Sequence, residues 1–182
     1  MSRATNRKRR ARKRAKANGA GPVAIPGRII KRKSLYFAYG SNLHMDQMAA
    51  RCPGSEPLCK LVLPDWRLVF RGVADVEPCH RDRVEGCLYV ITPECEAELD
   101  HYEGWPRMYR KEYFLIKHKG EPESVMFYRM NQDTTVAPPY AGYFEVVQTG
   151  FEHWGLDQKK LIQAARRSRR SNDDRVASSW EN

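Results

Sequence analysis

No stretch of this 182-residue chain approaches the ~20 consecutive apolar residues that a membrane-spanning helix needs. The first 33 residues contain no Asp or Glu at all, against 13 Lys/Arg. They also lack the apolar core of about 7–15 residues that a secretory signal carries, so that segment is not read as one. An Arg-rich, acid-free start also describes mitochondrial presequences, but residues 3–16 offer only alanines for an apolar face. The five cysteines (Cys52, Cys59, Cys79, Cys87, Cys95) include no C-x-x-C pair, and the five histidines are isolated. Paired ligands on short turns are what a structural zinc requires, so no metal is expected. Scattered, unpaired cysteines read as reduced thiols in a cytoplasmic protein.

What is present is unevenly distributed. Residues 34–158 carry 12 basic and 19 acidic side chains, and residues 159–182 carry 7 and 3. The net charge of +10 and pI near 9.5 therefore describe the ends, while the middle is acidic. This divides the chain into a basic arm and linker (1–33), one domain (34–158) and a basic helical or disordered tail (159–182). In the arm, like charges repel and no apolar face repays ordering, so disorder is expected until a polyanion neutralises it. Arg7, Lys8, Arg9, Arg10, Arg12, Lys13, Arg14 and Lys16 form a cluster suited to nucleic-acid phosphates or to a nuclear or nucleoid address. Arg166, Arg167, Arg169 and Arg170 extend that basicity or simply end a charged helix.

Regular structure is expected to begin with a buried strand over 35–39, broken by Gly40, Ser41 and Asn42. A helix follows, with Leu43, Met48, Ala49 and Ala50 giving its apolar side, until Cys52-Pro53-Gly54 stops it. Strands are predicted at 59–63 and 66–71 around a Pro64-Asp65 turn, then a polar loop over 74–84 and a strand over 86–91. Thr92-Pro93-Glu94 opens a helix with a cap and early acidic charge; Cys95, Leu99 and Tyr102 share one of its faces, and Gly104 ends it. A hairpin joins 113–116 to 125–128, and residues 139–170 are helical with a break near Gly155. Strands and helices mix without regular βαβ alternation, which points to an α+β fold.

Two elements carry chemistry. A strand that ends in Gly-Ser-Asn at a helix start offers backbone N–H groups and side-chain donors to an anion, although capping alone would use the same residues. Glu103 stands at a helix end near Trp105, Tyr102 and Tyr109, where desolvation would raise its pKa toward neutrality and suit it to move protons. Glu94, Glu96, Glu98 and Asp100 share that helix, and composition does not choose among them.

The sequence resembles the γ-glutamyl cyclotransferase family in three ordered blocks. These are Tyr39-Gly40-Ser41-Asn42 after the aromatic strand Tyr36-Phe37-Ala38, Leu99-Asp100-His101-Tyr102-Glu103-Gly104, and Pro139 to Tyr143 with Gly150 and Gly155-Leu156 downstream. The resemblance implies a compact mixed β-barrel with flanking helices and a cavity between the Gly-Ser-Asn loop and Glu103. It implies ring closure of a small γ-glutamyl substrate to 5-oxoproline without any cofactor, with Glu103 as acid/base. Tyr39, Gly40, Ser41, Asn42 and Leu43 would hold the substrate, and Tyr109, Tyr128 and Tyr143 would line the pocket. The bulky Trp105-Pro106 after Glu103 and a short loop after 66–71 depart from the family pattern and bear on the leaving-group pocket. Two other readings stand beside this one. In one, a nucleic-acid-binding protein works through the arm and keeps the fold without catalysis; in the other, the same fold acts on a different amide.

Overall fold

The computed structural model describes residues 33–118, 120–131 and 135–178, with side chains as far as Asp173. The basic arm, residues 7–16, lies outside the described residues. The elements run β1 (Ser34–Ala38), a 3-10 turn (Ser41–Leu43), α1 (Met45–Arg51), β2 (Glu56–Phe70), β3 (Ala74–Ile91), α2 (Pro93–Glu103), β4 (Tyr109–His118), β5 (Glu121–Met130), α3 (Ala141–His153) and α4 (Gln158–Ser178). The five strands form one sheet in the order β2-β3-β1-β5-β4. β1 lies at its centre, antiparallel to β3 and parallel to β5.

The sheet coils on itself, as the twist of long strands favours. Trp66 on β2 meets the Phe127 ring on β5 at 5.3 Å, although two strands separate them in the sheet order. Asp75 at the start of β3 accepts the Met130 N–H at the end of β5, at 3.0 Å. Phe37, Phe70, Phe127 and Leu63 fill the interior of this curl and are fully buried. Gly86 makes the close β1–β3 pairing feasible, because a Cβ there would sit 2.2 Å from the Ala38 carbonyl oxygen.

Several boundaries differ from the sequence expectation. The pair of short strands at 59–63 and 66–71 is one strand, β2, and Pro64-Asp65 is an irregularity within it. Most of 74–84 is strand and not loop. The register shifts between Pro57 and Cys59 and again between Pro64↔Arg83 and Trp66↔Pro78, where Asp65 faces residues 79–82. Asp65 and Arg81 there both adopt positive φ, and the Arg81 N–H bonds to Asp65 Oδ1 at 2.9 Å. The strand pair meets solvent around this irregularity, over residues 77–83, whereas Leu68, Phe70, Ala74 and Val76 beside the reversal are buried. Ala49 and Ala50 are exposed, and Met48 anchors α1. Residues 159–170 fall within α4, which packs along β2 through Leu161, Ala164 and Ser168; the Ser168 hydroxyl accepts the Phe70 N–H at 3.1 Å.

Candidate active site

The turn after β1 is fixed from inside the protein. Leu43 is fully buried, and its N–H bonds to the Gly40 carbonyl at 3.0 Å. α3 presses against this turn where Gly150 has no side chain; a Cβ there would come within 2.6 Å of Leu43 Cβ. The Trp154 indole N–H closes the contact by donating to the Leu43 carbonyl at 3.0 Å. Gly40 serves a similar purpose on the ligand side. Its φ is ordinary at −118°, but a Cβ would stand 3.1 Å from the Tyr143 hydroxyl and 3.2 Å from Ala74 Cβ. Glycine leaves that hydroxyl room that a Cβ would crowd by a few tenths of an ångström.

Glu103 is delivered from the other side by the last residue of α2. Gly104 adopts φ +67°, and the Trp105 N–H returns to the Asp100 carbonyl at 2.9 Å while the Gly104 N–H reaches His101. This Schellman-type end sets the direction of the Glu103 side chain. Glu103 Oε1 accepts a hydrogen bond from Asn42 Nδ2 at 3.1 Å, which joins the two elements the sequence singled out. Together they face a cavity of about 260 Å³, lined also by Tyr36, Tyr39, Ser41, Tyr109, Tyr128 and Tyr143. Tyr102, Met108, Val73 and Ala74 complete its wall.

Burial raises the pKa of Glu103 from the ordinary 4.5 to about 7, against the opposing pull of the Arg51 charge and the Asn42 hydrogen bond. The neighbouring carboxylates of α2 have different surroundings. Glu96 and Asp100 both pair with Lys111 of β4, at 2.6 and 2.8 Å. That pairing depends on β4, which begins six residues after Glu103 and which helix composition could not reveal. Trp105 is not the desolvating neighbour that the sequence suggested. It stands 45% exposed, with the Lys111 ammonium 4.9 Å from its ring centroid. The desolvating surface is the ring of tyrosines.

Those tyrosines are neutral hydroxyls with directed bonds. Burial, reinforced by the nearby Glu103 charge, pushes the Tyr36 and Tyr109 hydroxyls well above their ordinary range and Tyr143 up to about 12. Tyr39 donates to the Tyr128 carbonyl at 2.7 Å, and Tyr128 donates to Asp100 Oδ1 at 2.6 Å. Tyr143 accepts from the Ala74 N–H at 3.1 Å and also from the Ser41 N–H. Tyr36 accepts from Asn42 Nδ2 at 2.8 Å. The last two hydroxyls act as acceptors toward the protein, so each retains its own proton to offer a ligand. Ser41 Oγ lies 3.3 Å from the Tyr102 hydroxyl.

The sequence-predicted residues Tyr39, Gly40, Ser41, Asn42, Glu103, Tyr109, Tyr128 and Tyr143 thus converge on one cavity. Leu43 does not line it and acts from beneath. Tyr36, Tyr102 and Arg51 were not singled out as site residues. The signal for Tyr36 was its place on β1, two residues from Ala38 and on the face opposite Phe37. Tyr102 shares a helical face with Cys95 and Leu99, but those two are buried while Tyr102 is 46% exposed at the cavity rim.

An acidic group poised near neutrality, with neutral donors around it in a small cavity of a coiled α+β sheet, is an arrangement able to exchange a proton with a small ligand. The chain belongs to the γ-glutamyl cyclotransferase, AIG2-like family, whose model matches residues 36–145. Among solved structures, a γ-glutamyl cyclotransferase superposes with a TM-score of 0.64 at 24% identity, covering 73% of this chain and 86% of that one. An uncharacterised protein from Homo sapiens gives 0.62 at 24% identity, covering 72% and 86%. YkqA from Bacillus subtilis gives 0.63 at 21% identity; 76% of this chain is covered, but it spans only 55% of YkqA. These likenesses show the fold. No curated protein sequence matches the chain.

Proposed function

We propose that this protein is a γ-glutamyl cyclotransferase in activity as well as in family. The α-amine of a γ-glutamyl group attacks its own γ-carbonyl, a C–N bond forms, the original amide C–N bond breaks, and 5-oxoproline and a free amine or amino acid leave. The carrying observation is Glu103, half-buried at the end of α2 with a pKa of about 7 and bonded to Asn42 of the Gly-Ser-Asn turn.

Ring closure needs the glutamyl chain folded back so that nucleophile and carbonyl touch, and a cavity of about 260 Å³ suits a group of that size. Ionised Glu103 takes a proton from the attacking amine and returns it to the departing nitrogen. A carboxyl near pH 7 serves both directions. The negative charge that develops on the γ-carbonyl oxygen is met by neutral donors, for which the Tyr36 and Tyr143 hydroxyls are placed. Among the described residues no Lys or Arg lines the cavity, and the substrate's α-carboxylate is also held by neutral donors, with Ser41 among them.

The test is 5-oxoproline release from a panel of γ-glutamyl amino acids and γ-glutamylamines, comparing wild type with Glu103→Gln. Wild-type turnover should fall by at least about 10²-fold in the variant, the usual scale of a lost acid/base group. Turnover unchanged by the substitution would remove Glu103 from the mechanism.

The basic arm favours a separate role. Its 13 Lys/Arg without one Asp or Glu suit nucleic-acid phosphates, bound weakly in sequence terms and strongly dependent on salt. Removal of residues 1–33 should abolish retention on an oligonucleotide while 5-oxoproline release persists. Retention by the truncated chain would assign it elsewhere.

A further inference from the structure

Arg51 is not on the cavity wall, yet it is tied to the carboxylate through a single amide. Asn42 uses the two hydrogens of its Nδ2 on Tyr36 Oη and Glu103 Oε1, at 2.8 and 3.1 Å. Its other end, Oδ1, accepts from Arg51 Nη1 at 2.7 Å. A carboxamide can present either end to a neighbour, and the opposite orientation would aim an oxygen at Glu103. Arg51 forbids that orientation. A guanidinium has only donors and never loses its charge in this range, so it cannot accept from an amide N–H₂ group.

Arg51 is itself held on further sides. Nη2 donates to Gln47 Oε1, one turn earlier on α1, at 3.0 Å. Its guanidinium carbon lies 3.7 Å from the centroid of the Tyr102 ring, next in sequence to Glu103. Planar stacking and a two-pronged donor fork are properties that lysine lacks.

We propose that Arg51 is a positioning residue for the acid/base carboxylate, locking the Asn42 amide with its N–H₂ end toward Glu103 so that the ionised, proton-accepting form is favoured. This rests on the cyclotransferase reading of Glu103. The other groups that face Glu103 do not duplicate the effect. Tyr36 of β1, Tyr102 of α2, Tyr109 of β4, Tyr128 of β5 and Tyr143 of α3 are uncharged. Asp75 of β3 is paired with Arg71, and Asp100 of α2 with Lys111. The Arg51 charge acts in the same direction as the lock, lowering the Glu103 pKa against burial.

The test compares the pH dependence of kcat/KM for 5-oxoproline release in the full chain, wild type against Arg51→Met, Arg51→Lys and Gln47→Ala. Loss of a nearby opposite charge raises a carboxyl pKa by about one unit or more, so the acid limb of Arg51→Met should move up by about one pH unit. That is about an eightfold loss at pH 6.5 and almost none at pH 9.5. Arg51→Lys, which keeps the charge and loses the fork, should recover part of the displacement. Gln47→Ala should move the limb the same way by less. A loss of equal size at every pH, with the limb unmoved, would overturn the proposal and leave Arg51 a structural residue. A carboxyl titration of Glu103 followed by carbon NMR in the same four proteins separates this from failure of the cyclotransferase reading. If no protein releases 5-oxoproline but the Glu103 midpoint rises in Arg51→Met or, should that variant not fold, in Gln47→Ala, only that reading fails. An unmoved midpoint refutes the lock.

Discussion

A carboxylate held near pH 7 inside a folded protein is a stability cost with a definite pH signature. Glu103 has a folded pKa of about 7 against an ordinary 4.5. Below pH 4.5 it is protonated in both folded and unfolded chains and contributes nothing to the difference. As the pH rises from 4.5 to 7, the unfolded chain releases this proton while the folded chain keeps it, so stability falls through that window and then levels off. A gap of about 2.5 units corresponds to about 3 kcal/mol at pH 8. Glu103→Gln keeps the side-chain oxygen that accepts from Asn42 and removes the charge. The variant should therefore be more stable than wild type at pH 8 by up to about 3 kcal/mol, with the advantage shrinking to nothing near pH 4. Urea unfolding of both proteins at half-unit pH steps measures it. An advantage independent of pH would mean that Gln merely packs better. An advantage confined to the acid side would mean that Arg51 and Asn42 outweigh burial and hold Glu103 ionised, refuting its assignment as a base poised near neutrality.

Two further substitutions test the scaffold. Gly86→Ala places a methyl 2.2 Å from the Ala38 carbonyl oxygen and 2.6 Å from the Phe37 ring, forcing β1 and β3 apart. It should lower stability by about 3 kcal/mol or more, read as the urea midpoint; a wild-type midpoint would show that the pairing has slack. Tyr143→Phe deprives the Ala74 and Ser41 N–H groups of their acceptor. It should cost about 2 kcal/mol in the same assay and also lower kcat/KM for 5-oxoproline release. Loss of stability with full activity would remove Tyr143 from ligand binding.

The parts of the site legible in the sequence are those carried by local, contiguous letters. Gly40, Ser41 and Asn42 are read from a strand that stops in turn residues, and the family resemblance pointed to Glu103. The β2–β3 hairpin was harder for two physical reasons. Residues 77–83 are exposed or half-buried, so most of 74–84 lacks the apolar alternation that marks a half-buried strand. In addition, a bulge and a turn favour the same residue types: Asp65 at φ 60° serves an irregularity here as readily as it would a reversal. Arg51 was invisible because its meaning depends on two partners, Asn42 and Tyr102, that lie on the turn before α1 and on the later helix α2. A polar helix end with Arg is ordinary in sequence and acquires its role only when folding brings α2 across it.

The tyrosine lining gives this site its particular balance. A cavity walled by cations would have stabilised an ionised Glu103 and lowered its pKa; one walled only by aliphatic side chains would have raised it without leaving any group to orient a substrate. Buried phenols do both tasks at once. They exclude water, which is the largest influence on Glu103. Their own high pKa values keep them protonated, and therefore able to donate, throughout the range in which Glu103 titrates. Arg51 then sets the balance from outside the wall, through an amide and without direct exposure to the ligand. The proton affinity of Glu103 can consequently be tuned by residues that leave the pocket's shape unchanged, which is why the lock and the lining are separable by mutation.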